Sequence, residues 1–120
     1  RDKQVMLVVE DNLELRTFLR QLFSNEYVIY TVGNGMEGLN KASTINPDVI
    51  ISDVMMPEMD GVDMVIALRK DVSTSHIPII LLTAKTDIDS RLHGLEIGAD
   101  DYITKPFSAS YLKARIANLL

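Results

Sequence analysis

The sequence predicts an α/β domain over residues 1–120: a five-stranded parallel sheet, doubly wound in the order 2-1-3-4-5, with helices on both faces in a (βα)5 alternation. Three observations carry this. Apolar, β-branched runs such as Val5-Met6-Leu7-Val8-Val9 and Val49-Ile50-Ile51 alternate with segments whose apolar residues recur at helical spacing. The joints are short and marked by Gly, Pro and Asn, as parallel strands with crossover helices require. Four of the runs end on polar residues, which suits the carboxyl edge of an open parallel sheet, where the connecting loops diverge and leave a crevice.

In chain order, residues 1–4 are polar lead-in and Val5 to Val9 is the first buried strand. Glu10-Asp11-Asn12 follows, and then Leu15, Phe18, Leu19, Leu22 and Phe23 fall on one helical face, with Asn12 as cap and Ser24-Asn25 as the stop. Tyr27 to Val32 has the aromatic and β-branched content of an edge strand. Gly33-Asn34-Gly35 turns into a second helix carrying Met36, Leu39 and Ala42, which Asn46-Pro47-Asp48 ends. The central strand, Val49 to Ile51, runs into Asp53 and the loop Met56-Pro57-Glu58-Met59-Asp60-Gly61. A third helix then shows Val62, Val65, Ile66 and Leu68. Ile77 to Leu82 is the fourth strand, about 87–97 the fourth helix ended by Gly98, and Asp101 to Thr104 the last strand. Ser108 caps a fifth helix with Leu112, Ile116, Leu119 and Leu120 on one face. The strand order is chosen because it sets the strands ending at Glu10-Asp11, Asp53 and Thr83 side by side.

Composition narrows the function. With 120 residues the chain is one domain able to bury its own core. It contains no cysteine, which excludes thiol redox chemistry and thiolate metal sites, and it has two histidines, His76 and His93, too separated for zinc. A net charge of −5 without a Lys/Arg cluster argues against direct nucleic-acid binding by this domain. No apolar run approaches a membrane span, so no membrane insertion is expected. Beginning on Arg1-Asp2-Lys3 and stopping on Leu119-Leu120, the chain reads as a piece of a longer multidomain protein.

Three carboxylates (Glu10, Asp11, Asp53), the Thr83 hydroxyl and the Lys105 ammonium converge on one edge. Crowded carboxylates repel unless a cation is expected, and oxygen-only ligands favour Mg²⁺, or Mn²⁺. Lys105 pairs with a carboxylate when the crevice is empty and with a phosphoryl oxygen when it is full. A carboxylate flanked by metal, ammonium and hydroxyl is equipped to attack phosphorus. Neither GxGxxG nor a Walker pattern is present. Met55, two residues after Asp53, stands where an aspartyl-phosphate hydrolase would carry its general acid/base, which disfavours that alternative. A flavin site would need a Ser/Thr/Gly-rich loop where Glu10-Asp11 stands.

With Glu10-Asp11 after the first strand, Asp53 in SDVMMPEMDG, Thr83-Ala84, and Lys105-Pro106-Phe107 in GADDYITKPF, the chain resembles the receiver domains of two-component response regulators over essentially its whole length. That family has a flavodoxin-like fold of the same strand order. The resemblance implies a phosphoprotein in a phosphorelay: Asp53 receives phosphate from a histidine kinase, Asp11, Asp53 and the Met55 carbonyl ligate Mg²⁺, and Glu10 acts through water. It implies that Lys105 and Thr83 hold phosphoryl oxygens and that Lys105-Pro106 is a cis peptide. It also makes Thr83 and Tyr102 the switch that reshapes the face of the fourth helix, last strand and fifth helix. The domain is then a signalling module limited to self-phosphorylation and slow autodephosphorylation; the other reading is a receiver that is never phosphorylated and serves only as an interaction module.

SHIPIILLTAK and GLEIGADDYITKPF resemble receivers of hybrid sensor histidine kinases, whose phosphodonor shares the chain and which lie at the cytoplasmic face of the membrane; cytoplasmic location is expected in either case. An output domain or partner is expected on the switching face. Arg91, Asp101 and Arg115 fit the charges by which winged-helix regulators pair, whereas Ile97 and Tyr111 stand where acids would be, so a weak homodimer is the most that this pattern supports.

Overall fold

The computed structural model describes residues 3–84 and 98–120. Its strands are β1 (Gln4–Val9), β2 (Tyr27–Val32), β3 (Val49–Asp53), β4 (Ile79–Thr83) and β5 (Asp101–Thr104), and its described helices α1 (Leu13–Phe23), α2 (Gly35–Ile45), α3 (Gly61–Lys70) and a C-terminal helix, Ala109–Leu119. The expected fourth helix, about 87–97, lies outside the described residues, as do Arg91, His93 and Ile97. All five strands pair in parallel in the order β2-β1-β3-β4-β5.

The pleat sends alternate residues to opposite faces, and both faces are apolar. Leu7, Val9, Ile50, Ile79 and Leu81 meet Ala42, Met64, Val65 and Leu68 from α2 and α3. Met6, Val8, Ile51, Ile80, Leu82 and Ile103 meet Leu19 and Phe23 of α1 and Leu112 and Ile116 of the C-terminal helix. This is why β3 and β4 are buried at every position. Each such aliphatic side chain stabilises the fold by about 1.5–3 kcal/mol.

Helix starts follow their caps. Asn12, Asn34, Asp60 and Ser108 each accept a backbone N–H three residues on, satisfying a donor the first turn leaves open. Asn46 closes α2 in the left-handed conformation at φ 48°.

Several expectations are corrected. Phe18, Met36 and Leu120 are exposed. On α1 the buried line is Leu19 and Phe23, and Phe18 stands about 100° of helix rotation away from Leu19. On α2 it is Gly35, Gly38 and Ala42, small residues that let the helix approach closely: a Cβ on Gly38 would lie 3.0 Å from a methyl of Val9. Leu120 lies past the last turn of its helix. On α3, Met64 is buried while Ile66 is half-buried. The fourth strand starts at Ile79, not Ile77: the Ile77 carbonyl is taken by Arg69 Nη1 at 2.7 Å, and Pro78 has no N–H to donate. Arg69 also donates to the carbonyls of Gly98 and Ser75 and pairs with Asp100, which holds the chain entering β5 against the start of β4. His76 is exposed.

Candidate phosphoacceptor site

The sheet brings the predicted residues to one edge. Asp53 ends β3, the strand between β1 and β4, so Glu10-Asp11 lies on one side and Thr83 on the other. Thr83 pairs with Thr104 across β4 and β5, and the Lys105 N–H donates to the Thr83 carbonyl at 2.8 Å, which sets the lysine at the same edge, from where its side chain reaches across β4 toward β3. Lys105 Nζ lies 2.7 Å from Asp53 Oδ1. One carboxylate oxygen from each of Glu10, Asp11 and Asp53 falls within 4.8 Å of the others. The Lys105–Pro106 peptide is cis.

Burial differs among the acids. Asp53 is buried, Asp11 is exposed, and Glu10 is 1% exposed. Glu10 Oε2 accepts the Asn12 N–H at 3.0 Å, whereas Oε1 is buried with no partner among the described residues. A buried carboxylate oxygen without a donor is costly. Together with the crowding of three acids, it fits a site built for a hard, oxygen-seeking cation.

The electrostatics agree. Burial raises the Glu10 pKa from its ordinary 4.5 to about 7, the Asn12 N–H opposes the shift, Asp53 and Asp11 add to it, and Lys105 opposes it. Burial also raises Asp53, outweighing the hydrogen bond and charge of Lys105 and the Val54 N–H that lower it. Folded Glu10 therefore holds its proton where the unfolded chain has lost it. The stability that this confers is complete below pH 4.5 and is lost as pH rises through about 7. For the metal-free domain, unfolding free energy should fall by on the order of 3 kcal/mol over that window. Urea midpoints measured from pH 4.5 to 8 check it: Glu10→Gln should flatten the slope, and an equal slope in wild type and variant would count against the assignment.

Thr83 is buried and its Oγ1 donates to the Ala84 carbonyl at 3.1 Å. Tyr102 is half-buried against the apolar layer under α2 and α3, opposite Leu81. Met55 is 56% exposed at the rim. On the proposed pairing face, Arg115 pairs with Asp101 of its own chain and lies over the Tyr111 ring, 5.8 Å from its centroid.

Some contributors escape motif reading. Gly61 donates its N–H to the Val54 carbonyl at 2.8 Å, and a Cβ there would lie 2.3 Å from the Asp53 carbonyl oxygen. Gly35 donates to the Met59 carbonyl at 2.8 Å, so the loop after Asp53 is tied to the starts of both α2 and α3. The glycine ending PEMDG is the one sequence signal of this approach.

A family model described as "Response regulator receiver domain" matches residues 6–117. The chain is 46% identical over 119 residues to "Hybrid signal transduction histidine kinase D" of Dictyostelium discoideum, covering 99% of this chain and 8% of that protein. It is 44% identical over 119 residues to "Probable transcriptional regulator ycf27" of Guillardia theta, covering 98% of this chain and 46% of the other. Chemotaxis response regulator CheY4 of Vibrio cholerae superposes with a TM-score of 0.90 at 32% identity, over 99% of this chain and 100% of that one. The chain spans only 8–12% of the length of three histidine-kinase relatives that it matches.

Proposed function

The chain belongs to the response regulator receiver domain family, whose members act in two-component phosphorelays, and from that premise we propose that Asp53 is its phosphoacceptor. The observation that carries the residue assignment is the Lys105 ammonium, 2.7 Å from Asp53 at the edge where Glu10 and Asp11 also gather. In this reading the Asp53 carboxylate attacks the phosphorus of a phosphohistidine. The new O–P bond forms as the P–N bond to the imidazole breaks, and that ring leaves with the electron pair and takes up a proton. Lys105 changes partner from carboxylate to phosphoryl oxygen, and the Thr83 hydroxyl turns from the Ala84 carbonyl to the same group.

Asp11 and Asp53, with the Met55 carbonyl, would hold Mg²⁺ or Mn²⁺, and Glu10 would act through a bound water. When bound, the cation supplies positive charge that lets acids and phosphoryl oxygens share the site. Movement of Thr83 and Tyr102 would carry the signal to the face of β5 and the C-terminal helix. The output domain or partner would dock there, and a weak homodimer would use the same face. A thioether at Met55 supplies no general acid or base, which supports slow loss of phosphate and no turnover as a hydrolase. The hybrid kinase among the relatives supports a phosphodonor in the same longer protein, and in this reading the domain acts in the cytoplasm. No helix among the described residues is long and apolar enough to cross a membrane.

Intact mass after incubation with acetyl phosphate tests the reading. A single phosphoryl adduct should form with Mg²⁺, be lost on chelation, and map to Asp53. No adduct in a folded domain under either condition would leave a receiver that works by contact alone.

A further inference from the structure

We propose that Arg16 is a positioning residue for the metal-site acids, fixing the peptide plane that joins Glu10 to Asp11. The inference rests on the reading of those acids as the Mg²⁺ site.

Arg16 lies in the first turn of α1, where its own N–H donates to the Asn12 carbonyl at 2.9 Å. Its side chain reaches back along the helix, and Nε donates to the Glu10 carbonyl at 3.0 Å. That carbonyl belongs to the Glu10–Asp11 peptide. Because the peptide is planar, holding its oxygen also sets the direction from which the Asp11 Cα leaves. The contact is with the backbone and not with a carboxylate, so the guanidinium acts by geometry.

The remaining polar groups of Glu10 are tied as well. Its N–H donates to the Val32 carbonyl at 3.0 Å, and Oε2 accepts from Asn12. Oε1 alone is left over, buried and unpartnered among the described residues. Every polar group of residue 10 but Oε1 thus has a named partner. The far end of Arg16 lies beside Gly33: Nη2 would stand 3.2 Å from a Cβ there, and the Gly33 N–H is held by Glu37 Oε1 at 3.1 Å. Glycine at position 33 leaves the guanidinium its seat, and a larger residue there would press on it.

Titration with Mg²⁺ alone, by calorimetry and by the Glu10 and Asp11 amide resonances, tests this on wild type, Arg16→Ala, Arg16→Lys and Gly33→Val. Removing groups that orient ligands typically costs 10–100-fold in metal affinity. Arg16→Ala should bind Mg²⁺ about tenfold more weakly and shift the Asp11 amide before metal is added. Arg16→Lys, whose Nζ can donate to the same carbonyl, should recover most of the affinity, and Gly33→Val should lose part of it with Arg16 intact. Wild-type affinity in Arg16→Ala would overturn the proposal, as would a Lys variant as weak as Ala. Should wild type itself bind no Mg²⁺, the metal reading beneath it fails instead.

Discussion

Asp53→Asn should abolish the phosphoryl adduct entirely and, in the metal-free domain at neutral pH, raise the urea midpoint. The first effect follows from chemistry, since an amide oxygen is too weak a nucleophile to take the carboxylate's place. The second follows from the sign of the Asp53 shift. Burial raises its pKa despite Lys105, so the folded state resists the charged form, and stability falls as pH climbs through the folded value. Asparagine has the same shape and stays neutral. Its Oδ1 can still accept from Lys105, whose side chain is about a third exposed and keeps water as a partner. Saturating Mg²⁺ should narrow or reverse the difference, because a cation bound only by the folded state stabilises wild type most. An Asn variant less stable than wild type without metal would show that the Asp53–Lys105 pair outweighs the cost of burying the acid.

Gly61→Ala is the mildest change with a large expected consequence. The added methyl would stand 2.3 Å from the Asp53 carbonyl oxygen, 3.1 Å from the Val54 Cα and 3.2 Å from the Asp53 carbonyl carbon. All three are backbone atoms at the strand end that presents Asp53, so no side chain can swing aside. Relief requires α3 to lift from β3, which breaks the Gly61 N–H bond to Val54 and carries Asp53 away from Lys105. A loss of about 2–3 kcal/mol is expected, with adduct formation slowed in the molecules that remain folded. Chemical denaturation and the acetyl phosphate time course measure the two separately. Unchanged values for both would mean that the loop yields without disturbing the site.

How much of this was legible depends on what each residue does. The three inner strands announce themselves because a parallel sheet covered on both faces needs unbroken apolar runs there, and Val49 to Ile51 and Ile79 to Leu82 are buried without exception. The site acids were legible because polar residues that close such runs must lie at the strand ends. Counting apolar letters failed where volume matters more than hydrophobicity. Gly35 and Gly38 hold the inner face of α2 and displace Met36 to the surface, and no hydropathy pattern marks a glycine as buried. Long polar side chains escaped for another reason. Arg16 and Arg69 act through backbone carbonyls, and a carbonyl has no letter in the sequence.

The order in which the edge is assembled has a consequence for synthesis. Two of its acids are made first, Asp53 near the middle of the chain, and the lysine that pairs with Asp53 comes fifty-two residues later. Strands β1, β3 and β4 can pair before β5 exists, since β5 joins only at the outer side of β4. A chain halted before residue 105 would therefore display the acids without that counter-ion, and the balancing charge arrives only after β1, β3 and β4 are complete.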